Sequence, residues 1–233
     1  MTTPERADAE MLAYLAGLAH DLRATLNPIQ GYTGLLLYTD LSDEQREYVD
    51  TMRRYEDRAR IELTCLVEIL HLLAGTLGGG QTWIEPAALL QEALEQAQTW
   101  GGPEIETHLE MGGGLPARVK CPAHVETIWP ALMDWCMRLM DETGRTGTLT
   151  LGAAAVGTGR LRFSIRQTFS ELPSTHRETL QAYLARPPAS PARHIPLTLT
   201  AARLLAGFIH AELTVEVGST FLRVDLEFES GGE

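Results

Sequence analysis

The sequence predicts an α+β protein in two parts. Residues 1–76 read as a two-helix hairpin that dimerises into a four-helix bundle, and residues 77–233 read as an α+β domain. Three observations predict this. Two long stretches near the N-terminus repeat apolar residues every three or four positions. A glycine run, Gly78-Gly79-Gly80, then interrupts the pattern. After it, short alternating strands are interleaved with shorter helices.

The first helix is predicted from about Ala7 to Tyr38, on a stripe of Met11, Leu15, Leu18, Leu22, Ile29 and Leu36. Ser42 is the N-cap of the second, and Gln45 three residues on completes a capping box. That helix is predicted from about Asp43 to Ala74, on Met52, Tyr55, Ala59, Leu63, Leu66, Leu70 and Leu73. Gly75 ends it. Each helix is roughly 48 Å long at ~1.5 Å per residue. A lone hairpin of that length cannot bury both stripes, so the economical solution is a dimer. Beyond the glycines, helices are predicted over Pro86 to Trp100, Pro122 to Met140, Leu172 to Ala185 and Leu197 to Ile209. Strands are predicted over Ile105 to Met111, Ala117 to Cys121, Thr148 to Ala155, Leu161 to Thr168, Glu212 to Val217 and Phe221 to Phe228. A Pro-rich loop is expected over Arg186 to Pro191.

Composition narrows the functional classes. The chain has 233 residues, is 44% apolar and carries a formal charge of −12. That charge argues against nucleic acid or an anionic membrane as the main partner, because those surfaces recruit Lys and Arg. It is evenly spread: residues 1–76 hold 7 basic and 13 acidic groups, and residues 77–233 hold 12 and 18. Three cysteines without a CxxC pair support neither a zinc knuckle nor a disulfide scaffold. No apolar run reaches the ~18 residues of a bilayer span, and the acidic N-terminus is no signal peptide. A cytoplasmic location is expected. With about ten residues before the first helix, no input domain is expected.

The chemistry sits in Leu18-Ala19-His20-Asp21-Leu22-Arg23-Ala24-Thr25-Leu26-Asn27. His20 lies roughly 200° around the helix from Leu18 and from Leu22, so its imidazole should point into water. An exposed imidazole is mostly neutral at pH 7 and keeps a lone pair for attack. This segment, its continuation Ile29-Gln30-Gly31-Tyr32, and Leu41-Ser42-Asp43-Glu44-Gln45-Arg46-Glu47-Tyr48 resemble the phospho-acceptor hairpin of sensor histidine kinases. The resemblance covers about 70 residues. It implies that His20 accepts a phosphoryl group and that Asp21 orients the imidazole and takes its proton. It also implies that Arg23, Thr25 and Asn27 face a response-regulator receiver domain. Two residues depart from the pattern. Ala24 stands where the family has a Thr or Asn that positions water for dephosphorylating a partner, and Ala cannot hold a water. Thr25 stands at the family's proline, while Pro28 comes later and should bend the helix near Ala24.

The order of elements after Gly80 resembles the family's ATP-binding α/β sandwich, but its three nucleotide boxes are degenerate. Trp135 replaces the magnesium-binding Asn, with Asp134 turned about 100° away on the helix. Gln167 replaces the Asp that bonds the adenine amine, and Phe169 and Glu171 replace both glycines of that box. Pro196-Leu197-Thr198-Leu199 replaces the Gly-Leu-Gly-Leu whose backbone N–H groups meet phosphate. Gly157-Thr158-Gly159 falls in a hairpin turn. The remaining histidines, including His71, His108, His124 and His176, have no metal-ligand spacing. Glu104 and Glu106 read as a solvated strand face.

Three readings follow. The first is a phosphorelay histidine phosphotransferase that shuttles a phosphoryl group between His20 and receiver aspartates without ATP. It needs no cofactor of its own, since magnesium comes from the receiver's acidic site. The second is a pseudo-histidine-kinase adaptor that binds a receiver or a kinase and does no chemistry. The third is a kinase with an unorthodox nucleotide site.

Overall fold

A computed structural model describes residues 3–101, 105–144, 146–185 and 195–231. The chain divides into two compact units, Met1–Gly78 and Gly79–Glu233.

The first unit is the hairpin of α1 (Thr3–Leu36) and α2 (Asp43–Leu73). The capping box forms as the sequence requires. Gln45 N–H donates to Ser42 Oγ at 3.3 Å, and Ser42 N–H donates to Gln45 Oε1 at 3.0 Å. Gly75, at φ +66°, turns the chain out of α2, and Thr76 N–H returns to the His71 carbonyl at 2.9 Å. Between the helices Ala19, Thr33, Val49, Glu56, Ile61, Cys65 and Leu70 are buried. Two side-chain pairs fix the register. The Thr33 hydroxyl donates to Glu56, and the Arg23 guanidinium donates to Thr64 Oγ1 at 3.1 Å. The first-helix stripe is not covered within one hairpin: Met11, Leu15, Leu18, Leu22, Ile29 and Leu36 are all at least 40% exposed.

The second unit is a mixed sheet with helices packed on one face. Its strands are β2 (Ile105–Met111), β4 (Gly147–Ala155), β5 (Arg160–Thr168), β6 (Glu212–Val217) and β7 (Phe221–Glu229), in spatial order β2-β4-β5-β7-β6. Only β2 and β4 run parallel; the other pairs are antiparallel. The helices are α3 (Pro86–Gly101), α4 (Val125–Glu142), α5 (Ser174–Leu184) and α6 (Leu197–Phe208). Period-two alternation puts Leu161, Phe163, Ile165 and Gln167 inward on β5, and Leu222, Val224, Leu226 and Phe228 inward on β7. Trp129 of α4 and Phe228 close on Phe163 at ring-centroid distances of 5.2 and 5.4 Å. The outward residues pair by charge, as Arg162 with Glu227 at 2.9 Å and Arg166 with Glu110 at 3.1 Å.

Several predicted bounds move. A short strand β1 (Gln81–Ile84) pairs antiparallel with β3 (Val119–Pro122) and has no sequence prediction. Only Ile84 of its residues is buried, so it carries no periodic signal. Pro122 ends β3 rather than opening a helix. Ala123 N–H bonds the Gly80 carbonyl, and α4 begins at Val125 behind the N-cap His124. The Pro-rich loop read over Arg186 to Pro191 lies outside the described residues. The three cysteines are buried, and none forms a disulfide among the described residues. Burial, with the Glu126 carboxylate adding to it, pushes the Cys121 thiol up to about 12, so it is no nucleophile.

Candidate functional site

The site is built on α1. His20 stands on its exposed face with three-quarters of the side chain open to water. Its neighbours in the stripe, Leu18 and Leu22, point elsewhere by helix geometry. Asp21 is equally open, and its Oδ1 lies 3.7 Å from His20 Nδ1. That is too long for a hydrogen bond.

The other expected residues divide. Asn27 is exposed. Thr25 is exposed, but its hydroxyl donates to the Asp21 carbonyl at 3.0 Å. At the family's proline position the chain therefore adds a bond to that carbonyl instead of losing one. Pro28 lies inside α1 and cannot donate toward Ala24, so the missing backbone bond falls there. Arg23 is not a free surface cation: it is half-buried and held across the hairpin by Thr64.

His20 and Arg23 border a groove of about 480 Å³ between the two helices. Its floor is small and apolar, with Ala16, Gly17, Val67 and Ala74; His71 and Thr76 stand on the α2 side. Sequence spacing did not place these two residues at the site. The hairpin register does. His20, three residues before Arg23, comes level with residues about three past Thr64, and His71 is one turn further.

The second unit shows what occupies the positions aligned with nucleotide contacts. Trp135 and Phe169 are buried. Asp134 is fully buried, and its Oδ2 accepts from Arg138 Nε at 2.8 Å. Gln167 is fully buried, and neither end of its amide has a partner among the described residues. Pro196 precedes α6, whose first turn of Thr198, Leu199 and Thr200 is buried. The Tyr183 hydroxyl caps Thr200 Oγ1 at 3.1 Å, and Arg203 is held on the Tyr183 carbonyl at 2.8 Å. A phosphate-binding helix end needs open N–H groups, and this turn is packed instead. A cleft of about 340 Å³ remains between α4 and α5, bordered by Trp135, Arg138, Glu142, His176, Leu180 and Pro196. Glu106 contacts His108 at 3.3 Å, which fits a solvated strand face; Glu104 and His194 lie outside the described residues. Among the described residues no cluster of three or more His, Cys, Asp or Glu could hold a metal ion. No described helix is long and apolar enough to cross a membrane.

The hairpin that carries His20 is also where similarity to known proteins is clearest. Residues 10–60 match the His Kinase A (phospho-acceptor) domain. Over 50 residues the chain is 40% identical to hybrid signal transduction histidine kinase A of Dictyostelium discoideum, covering 22% of this chain and 2% of that protein. The fold is similar to full-length ShkA, solved in complex with AMPPNP, at TM-score 0.56 and 21% identity, covering 96% of this chain and 46% of that one. It is also similar to the histidine kinase AdeS of Acinetobacter baumannii, at TM-score 0.54 and 11% identity, covering 90% of this chain and 97% of that one. The chain is thus histidine kinase-like in fold, and its hairpin matches the phospho-acceptor domain over residues 10–60. It spans a small fraction of the curated relative and under half of ShkA.

Proposed function

We propose that this chain is a phosphorelay histidine phosphotransferase. His20 attacks the aspartyl phosphate of one response-regulator receiver domain and passes the phosphoryl group to the aspartate of another. The observation that carries this reading is a contrast between the two units. The His20 imidazole is open, while buried Trp135, Gln167 and the packed first turn of α6 stand at the positions that align with the family's nucleotide contacts, which supports a chain that works without ATP.

In this mechanism Asp21 biases the imidazole toward its Nδ1–H tautomer, so that Nε2 is the nucleophile. The P–N bond forms at Nε2 as the receiver's P–O bond breaks, and the electron pair returns to the receiver's carboxylate. Magnesium belongs to the receiver's acidic site. Transfer then depends on positioning and charge stabilisation, which a helical surface can supply. Asn27 and Thr25 lie on the exposed run beside His20, where a receiver would dock. The exposed apolar stripe of α1 supports a homodimer through the hairpins.

Incubation with a labelled, phosphorylated receiver domain tests the reading. Acid-labile label is expected on the wild type and none on His20→Ala. Receiver binding with no transfer of label would support an adaptor without chemistry.

A further inference from the structure

The groove beside His20 contains a second histidine that the phosphotransfer reading does not use. His71 stands on the last turn of α2, across the groove from His20 and Arg23. Its ring is held in place. Nδ1 contacts Thr76 Oγ1 at 3.0 Å, and that hydroxyl also lies 3.3 Å from the His71 carbonyl. Thr76 is itself fixed by its N–H bond to the same carbonyl. Wherever the Thr76 proton sits, Nε2 is the uncommitted ring nitrogen of His71 among the described residues.

Arg23 presents a matching feature. One end of its guanidinium, Nη2, is held by Thr64 Oγ1 at 3.1 Å, which fixes the charge at the edge of the same groove. Two fixed nitrogen groups thus border one groove with the phospho-acceptor. The floor leaves room: a Cβ added at Gly17, one turn before His20, would meet nothing within 4 Å.

We propose that His71 and Arg23 form a receptor for the phosphoryl group carried on His20, with His71 as a positioning residue of the transfer. This rests on the phosphotransferase reading above. When the P–N bond forms at His20 Nε2, the phosphoryl oxygens gain negative charge near the Arg23 guanidinium and the His71 ring, whose Nε2 is the donor when the Thr76 hydroxyl donates to Nδ1. Both donate hydrogen bonds to those oxygens, and such charge-assisted bonds are the stronger kind. His71 forms and breaks no covalent bond. It holds the phosphoryl oxygens and so favours the phosphorylated state of His20.

The test uses the full chain and phosphoramidate, a small phosphoryl donor that needs no receiver. The donor's P–N bond breaks, ammonia leaves, and the new P–N bond forms on His20. Phosphorus NMR reads the phosphohistidine directly. His71→Gln is expected to slow formation of phospho-His20 about two- to fivefold, the range of one exposed charge contact, and to move its phosphorus resonance. His71→Arg, which keeps an N–H donor at this position, is expected to restore most of the rate. A purely structural role for His71 would not be rescued by Arg and would leave the resonance in place. Wild-type rates and an unchanged resonance in His71→Gln and His71→Ala, with label still on His20, would overturn this inference alone. No phosphohistidine on the wild type would overturn the phosphotransferase reading with it.

Discussion

At the scale of single residues, function divides between what is open and what is closed. His20 and Asp21 are exposed, with 3.7 Å between the imidazole Nδ1 and the carboxylate. Ala24, exposed one turn on, presents only a methyl group, which gives no purchase to a hydrolytic water. Gln167 is the closed counterpart. Its amide is buried on β5 with both ends unpartnered among the described residues. An unsatisfied buried polar group costs about 1–3 kcal/mol. Gln167→Met keeps the length and flexibility of the side chain and removes the amide. It is expected to raise stability by about 1 kcal/mol, read as a higher urea midpoint at unchanged slope. A lower midpoint would mean that the amide has a role the fold depends on.

At the scale of elements, much of the architecture was legible. Ser42 and Gln45 predicted the start of α2, and Gly75 predicted its end, because caps are local chemistry with fixed spacing. Alternation predicted β4 and β5, and the turn at Gly218-Ser219 predicted the β6–β7 hairpin; β5 and β7 bury alternate residues along one face. β1 was illegible because a four-residue strand with one buried side chain has no period. Pro122 misled because proline suits a helix start as well as a strand end. In the site, the motif singled out His20 and Asp21, and the hairpin holds both exposed on α1. The tie of Arg23 to Thr64 and the approach of His71 were not, since both depend on how α1 and α2 slide against each other. Gly147 shows how tightly the sheet is closed. It sits at φ +133°, and a Cβ there would come within 2.0 Å of the Thr168 carbonyl oxygen. Gly147→Ala must therefore displace the end of β4 from β5. A loss of about 3 kcal/mol is expected, in the range of strained backbone with a steric clash, and thermal unfolding would read it.

At the scale of the whole molecule, each half supplies something the other lacks. The hairpin carries the reactive group but leaves an apolar stripe uncovered, with Leu22 57% exposed. The α/β unit has a filled core and packed helix ends. If hairpins pair along the stripe, Leu22→Glu places a charge in the bundle seam while leaving the single hairpin's own core untouched. Sedimentation is expected to show a dimer for the wild type and a monomer for Leu22→Glu. A monomeric wild type would contradict the four-helix arrangement. The central claim concerns where the phosphoryl group comes from, and the most direct measurement offers the two donors separately. Acid-labile label is expected on His20 from a phosphorylated receiver domain and none from γ-labelled Mg-ATP. Label on His20 from Mg-ATP alone, with no receiver present, would contradict it.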